Sequence, residues 1–321
     1  MTSATWNLRP HLAVAALALS ALASPTQALE IALTNDDGWS APGIQAMKDA
    51  LRAAGHTVTL AGPLANQSGS GAAVDLGALR IVKRATDEYS VALVDGVTSA
   101  KPATSGAVAI AIVQEKGRNP DLVVSGINAG ANVGSFAQVS GTVGATILSV
   151  AQTFAGAIPA IAISTDEPAS CGTDAICKRA HYDDVADFLV RFIAHLETRP
   201  GFLNREAALL PPGVALNINH PPLSNPRGVK VAVQGQTALE RGQEVVANFR
   251  CGAGGSPLCS SLPVGGASIG APVLSPLDLE DVKDSDAEYY ADGYITIVPI
   301  SPDYTAKSPF LYKSLLTGFN P

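Results

Sequence analysis

Glu30-Ile31-Ala32-Leu33-Thr34-Asn35-Asp36-Asp37-Gly38 predicts a short apolar strand that runs straight into two adjacent carboxylates. In open α/β sheets, ligands bind outside the carboxyl ends of the strands. Two neighbouring acids at such an end repel each other and call for a cation or a proton. Their hard oxygen donors suit Mg²⁺ or Mn²⁺. The competing reading is a solvated turn, because Asn-Asp-Asp-Gly is also favourable turn chemistry.

Outward from this stretch, strands and helices alternate. The pattern predicts a helix over 43–54, with Ile44, Met47 and Leu51 on one face, and a strand over 57–61. Further strands are expected at 79–83, 89–94, 122–125 and 158–164, with helices at 103–115, 142–155 and 181–197. Such alternation implies a mostly parallel sheet with helices on both faces. After residue 213 the pattern turns β-rich, with strands at 214–218, 229–234, 243–249 and 293–299. This later part reads as a C-terminal extension of the same domain, with no linker, repeat or low-complexity tract before it.

Two more loops carry chemistry. After the 122–125 strand comes Ser125-Gly-Ile-Asn-Ala-Gly-Ala-Asn-Val-Gly134, then Val139-Ser-Gly-Thr-Val-Gly144 opening a helix. Glycines let the backbone approach a ligand, and Asn128 and Asn132 offer neutral oxygen and nitrogen groups. Backbone N–H groups at Ser140, Gly141 and Thr142, where the helix begins, form a natural phosphate site. The alternative is a capped helix with Ser140 as its N-cap. The second loop, Asn66-Gln67-Ser68-Gly69-Ser70-Gly71, follows the 57–61 strand and could add a serine hydroxyl to an oxygen-rich metal shell. No Gly-x-Gly-x-x-Gly follows the first strand, which removes a dinucleotide reading.

Composition limits the partners. The 321 residues are 47% hydrophobic and carry 21 basic against 28 acidic side chains. A nucleic-acid polymer is therefore not expected, since no basic surplus exists to neutralise phosphates. Arg9 precedes the apolar run Leu12–Ala23, and small residues follow to Ala28. The run falls short of the roughly 20 residues a bilayer span needs. Residues 1–28 thus read as a secretory signal, and 29–321 as an exported chain, periplasmic or secreted, with no membrane segment after removal. The four cysteines agree with export. Cys171, Cys177, Cys251 and Cys259 allow three connectivities, and sequence proximity favours 171–177 and 251–259 as loop staples. His56, His181, His195 and His220 lie outside the three loops and read as surface or core groups, not catalytic bases.

Asn35-Asp36-Asp37-Gly38, Ala41-Pro42-Gly43-Ile44, Asn66-Gln67-Ser68-Gly69, Ser125-Gly126-Ile127-Asn128-Ala129-Gly130, Asn132 and Ser140-Gly141-Thr142-Val143 together resemble the SurE family of 5′/3′-nucleotidases. Gly293-Tyr294-Ile295-Thr296-Ile297-Val298-Pro299 is similar to that family's C-terminal strand. The resemblance is strong over 30–165 and thinner over 181–300. It implies a Rossmann-like α/β fold and one divalent metal ion, Mg²⁺ or Mn²⁺, held by Asp36, Asp37, Ser68 and Asn128. It also implies a homodimer or homotetramer built through the C-terminal extension. The expected activity is hydrolysis of nucleoside 5′/3′-monophosphates, with Asp36 and Asp37 catalytic and Asn132, Ser140, Gly141 and Thr142 on the substrate phosphate. Phosphatase action on polyphosphate or other esters, and nucleotide binding without turnover, are the alternatives. One departure stands out. Where compact members carry Gly-Thr-Pro-x-Asp-Cys, this chain reads Ala100-Lys101-Pro102-Ala103-Thr104-Ser105. The segments holding both cysteine pairs, about 166–180 and 250–280, also look longer than in compact members.

Overall fold

A computed structural model describes residues 28–151, 157–198, 209–236 and 281–303. Residues 1–27 of the expected signal segment, Cys251, Cys259, the 243–249 strand and the 250–280 insertion lie outside the described residues.

Nine strands form one sheet in the order β3-β4-β2-β1-β5-β6-β7-β9-β8. They are β1 (Glu30–Thr34), β2 (Thr57–Pro63), β3 (Leu79–Ala85), β4 (Glu88–Leu93), β5 (Leu122–Ala129), β6 (Ala160–Thr165), β7 (Ala215–His220), β8 (Val229–Val231) and β9 (Ile295–Ile300). Strands β4, β2, β1, β5, β6 and β7 run parallel; β3 is antiparallel to β4, and β9 to β7. The chain winds from β1 to one side and returns through β5 to the other. The β1–β5 boundary is therefore the point where strand order reverses, where such sheets open a crevice.

Helices α1 (Pro42–Ala53) and α4 (Ala175–Glu197) pack together over one side, α2 (Pro102–Glu115) and α3 (Gly141–Val150) over the other, and α5 (Asp286–Ala291) precedes β9. Ile44, Met47 and Leu51 of α1 are fully buried with Ile31 and Leu33 of β1 and Leu189 of α4. Each such side chain contributes about 1.5–3 kcal/mol through its burial. Helix α1 starts without a side-chain cap, but Pro42 stands in its first turn with φ preset for a helix. A Cβ on Gly43 would lie 2.1 Å from the Ile127 carbonyl oxygen, so the helix start presses directly on β5.

Two expectations shift, and one helix is added. Strand β5 continues through Asn128 and Ala129, which glycine and asparagine content made look like loop. Helix α4 begins six residues early, at Ala175, because Asp174 caps it by accepting the Ile176 and Cys177 N–H groups at 2.9 and 3.2 Å. The stretch before β9 contains α5, whose cap is Ser285. Among the described residues no helix is long and apolar enough to cross a membrane.

Candidate active site

The turn after β1 is closed by Asn35, whose Nδ2 donates to the Gly38 carbonyl at 3.0 Å while its Oδ1 accepts the Gly38 N–H at 3.2 Å. This holds Asp36 and Asp37 at the strand end. Asp36 is 2% exposed and accepts the Thr142 hydroxyl at 2.5 Å. Burial raises its pKa, and the donors at the α3 start, the Thr142 hydroxyl with the Gly141 and Thr142 N–H groups, oppose that rise. Asp37 is half-buried; its Oδ2 accepts the Ala129 N–H at 3.0 Å and its Oδ1 accepts Asn66 Nδ2 at 3.2 Å. Burial first, then the charges of Asp36 and Glu167, push Asp37 up to about 6 against the Ala129 hydrogen bond. Among the described residues no Lys or Arg pairs with either acid.

The loops converge on this pair. Asn66, which bonds Asp37, also accepts the Ser68 N–H at 2.8 Å and so draws the 66–70 segment to the site. The Gln67 N–H donates to the Asp36 carbonyl at 2.7 Å. Asn128 commits its Nδ2 to the Gly130 carbonyl at 2.7 Å, which leaves its Oδ1 as a free acceptor beside the Ala129 link to Asp37. A methyl on Gly141 would lie 2.8 Å from Asp36 Cβ and 2.9 Å from its Oδ2, so the start of α3 touches the carboxylate.

The side chains of Ser140, Asn132 and Thr142, all expected at the phosphate, have partners within the protein, Thr142 on Asp36. Ser140 Oγ accepts the Val143 N–H at 3.2 Å as the cap of α3. Asn132 donates Nδ2 to Ser164 Oγ at 2.8 Å and its N–H to Asn219 Oδ1 at 2.6 Å, and its carbonyl accepts from Nδ2 of Asn217 and of Asn219. Asn66, Asn217 and Asn219 were not picked out by the sequence reading. Asn66 stood in a quoted motif and was open to discovery, whereas the two β7 asparagines lie about 85 residues from their partner.

Around this centre, Cys171 and Cys177 form a disulfide with a Cα–Cα distance of 5.4 Å, stapling the connection from β6 into α4. The histidines stay outside the centre. His56 accepts the Leu29 N–H at 3.2 Å, His181 bonds Thr165, and His220 Nδ1 bonds the Pro221 carbonyl at 2.8 Å. An apolar cavity of about 290 Å³, lined by Val74, Leu76, Ala107, Val108 and Leu148, opens along α2 and contains neither Asp36 nor Asp37.

The carboxylate pair suits a hard divalent cation: adjacent, largely out of water and without a basic partner among the described residues, it lacks positive charge. Among the described residues no three His, Cys, Asp or Glu side chains cluster as a metal set. Two carboxylates with a hydroxyl and a carboxamide oxygen nevertheless match a cation that keeps several waters, as Mg²⁺ does.

Residues 31–241 match the family model described as "Survival protein SurE". The chain belongs to the SurE family. A protein named 5'-nucleotidase SurE from Gloeobacter violaceus is 30% identical over 279 residues, covering 86% of this chain and 91% of that relative. A protein of the same name from Acinetobacter baumannii is 30% identical over 287 residues, covering 86% and 95%. The crystal structure of the Sure protein from Aquifex aeolicus superposes with a TM-score of 0.61 at 26% identity, covering 90% of this chain and 98% of that one. The SurE fold thus accounts for the mostly parallel sheet and its C-terminal strands.

Proposed function

We propose that this SurE-family chain is a metal-dependent phosphomonoesterase that hydrolyses nucleoside 5′- and 3′-monophosphates to nucleoside and phosphate. The observation that carries the reading is the Asp36–Asp37 pair, one buried and one half-buried, without a basic partner among the described residues and set against the N-terminus of α3 at the sheet's switch point. Relatives named 5'-nucleotidase SurE, 30% identical over most of the chain, support the substrate class.

Asp36, Asp37, Ser68 and Asn128 would hold one Mg²⁺ or Mn²⁺ ion, which when bound supplies positive charge to the phosphoryl oxygens. The Gly141 and Thr142 N–H groups, at the positive end of α3, favour the phosphate and its transition-state charge. Water attacks phosphorus, the ester P–O bond breaks, and the nucleoside oxygen leaves with the proton that the attacking water gives up. Asp36 accepts that proton from the attacking water and passes it to the leaving oxygen. Thr142, bonded to the other side of that carboxyl group, fixes its orientation.

Export is part of the same proposal. The Arg9–Ala28 pattern supports it, and the Cys171–Cys177 disulfide suits an oxidising compartment. N-terminal sequencing of the mature protein tests it, with cleavage expected near Ala28.

The activity test is phosphate release by the metal-stripped protein from 5′- and 3′-nucleoside monophosphates, an aryl phosphate and tripolyphosphate, with and without Mg²⁺ or Mn²⁺. Metal-dependent release from the nucleotides supports the reading. Release from tripolyphosphate alone, or ligand binding without any release, overturns it.

A further inference from the structure

Lys101 is the second residue of the stretch that departs from the family pattern, and its surroundings give that departure a chemical meaning. Its backbone is pinned from both directions. The Lys101 N–H donates to Asp75 Oδ2 at 2.7 Å, and the Asp75 N–H donates to Thr104 Oγ1 at 2.8 Å. Pro102 follows as the first residue of α2. A methyl on Gly141 would lie 2.8 Å from Pro102 Cγ and 2.8 Å from Asp36 Cβ, so Pro102 and Asp36 flank the same backbone atom. Lys101 therefore stands one residue from the wall of the carboxylate site.

Its side chain turns to the loop that carries Ser68. The ammonium donates to Gln67 Oε1 at 3.1 Å, while Gln67 Nε2 donates to the Asn66 carbonyl at 2.9 Å and the Gln67 N–H holds the Asp36 carbonyl at 2.7 Å. Gln67 is thus fixed at three points and presents a neutral acceptor to the lysine. An ammonium has three donors, and Gln67 takes one. Among the described residues Lys101 pairs with no carboxylate. By contrast Lys178 is already paired with Glu167, a carboxylate whose charge reaches Asp37.

A phosphomonoester dianion entering a site built on two carboxylates meets repulsion. We propose that Lys101 is a substrate-positioning residue whose ammonium, held by Gln67, contacts the phosphate of the bound ester and of the product, setting affinity for the dianion. This inference rests on the phosphatase reading. The Gln67–Lys101 bond is neutral on one side and half-buried, so its loss alone costs the fold little.

The test uses the full chain with one fixed divalent-metal concentration. Binding of inorganic phosphate by calorimetry, and kcat and KM for 5′-AMP, are measured for wild type, Lys101→Ala, Lys101→Gln and Lys101→Arg at low and high salt. One charge-assisted hydrogen bond corresponds to roughly tenfold in affinity. Lys101→Ala and Lys101→Gln should weaken phosphate binding and raise KM by about that factor, with kcat little changed. Lys101→Arg should restore most of the loss, and high salt should shrink the difference. Unchanged phosphate affinity and KM in both neutral variants, or a loss confined to kcat, overturns the role of Lys101 while wild-type turnover still supports the phosphatase. A wild type that binds phosphate through Lys101 without releasing any from nucleotides overturns the phosphatase reading instead. A wild type that does neither overturns both.

Discussion

Gly141→Ala tests the contact between α3 and the carboxylate pair. The added Cβ would stand 2.8 Å from Asp36 Cβ, 2.8 Å from Pro102 Cγ and 2.9 Å from Asp36 Oδ2. Ordinary carbon–carbon contacts are about 3.5–4.0 Å, so each of the two carbon contacts must open by roughly 0.7–1.2 Å. Neither neighbour yields freely. Asp36 is bonded to the Thr142 hydroxyl at 2.5 Å, and Pro102 is built into the start of α2. Overpacking of this kind costs about 1–3 kcal/mol, and a displacement near 1 Å at a reacting group costs on the order of a hundredfold in rate. Thermal unfolding should show a lower Tm, and phosphate release should fall by about two orders of magnitude. Gly77→Ala is the control, because a Cβ there meets nothing within 4 Å. Its stability should stay within about 0.5 kcal/mol of wild type. A Gly141→Ala protein with wild-type Tm and wild-type turnover would refute the close approach of α3 to Asp36.

Asp37 carries the clearest pH signature. Its folded pKa of about 6 exceeds the ordinary 3.8, so it favours the folded metal-free protein at low pH and gives that stability up as pH rises through about 6. Asp37→Asn should therefore stabilise the metal-free protein near neutral pH by up to about 3 kcal/mol and abolish the stabilisation that added Mg²⁺ or Mn²⁺ gives wild type. Denaturant melts with and without metal read both effects. His220 behaves in the opposite sense: burial pushes it down to about 4 from 6.5, so its contribution is present above 6.5 and lost as pH falls towards 4. Wild type should lose up to about 3 kcal/mol across that window beyond the loss shown by His220→Gln, measured by denaturant melts at a series of pH values.

Much of this was legible from local pattern. Strand β1 and helix α1 follow from an apolar run and a 3.6-residue repeat, and the buried Ile44, Met47 and Leu51 face is the one the repeat marks. The place of Asp36 and Asp37 just past the end of β1 was readable because the apolar run stops at Thr34. The boundaries of β5 and α4 were not, since Gly126 and Asn128 weigh against a strand locally while pairing with β6 overrides that preference. Residue roles that depend on long-range proximity were hidden. Ser140 reads in sequence as a phosphate ligand or a cap, and its 3.2 Å bond to Val143 shows that it caps α3. The Asn132–Asn217–Asn219 cluster joins β7 to the loop after β5 and leaves no periodic trace.

The central claim, that Asp36 and Asp37 run a phosphoester hydrolysis, is tested most directly by phosphate release from 5′-AMP. Wild type, Asp36→Asn and Asp37→Asn should be compared at saturating Mg²⁺ or Mn²⁺, with folding of each variant verified by its unfolding transition. The account predicts metal-dependent release in wild type and a loss of at least about a hundredfold in each folded variant. Folded variants that release phosphate at the wild-type rate would contradict it.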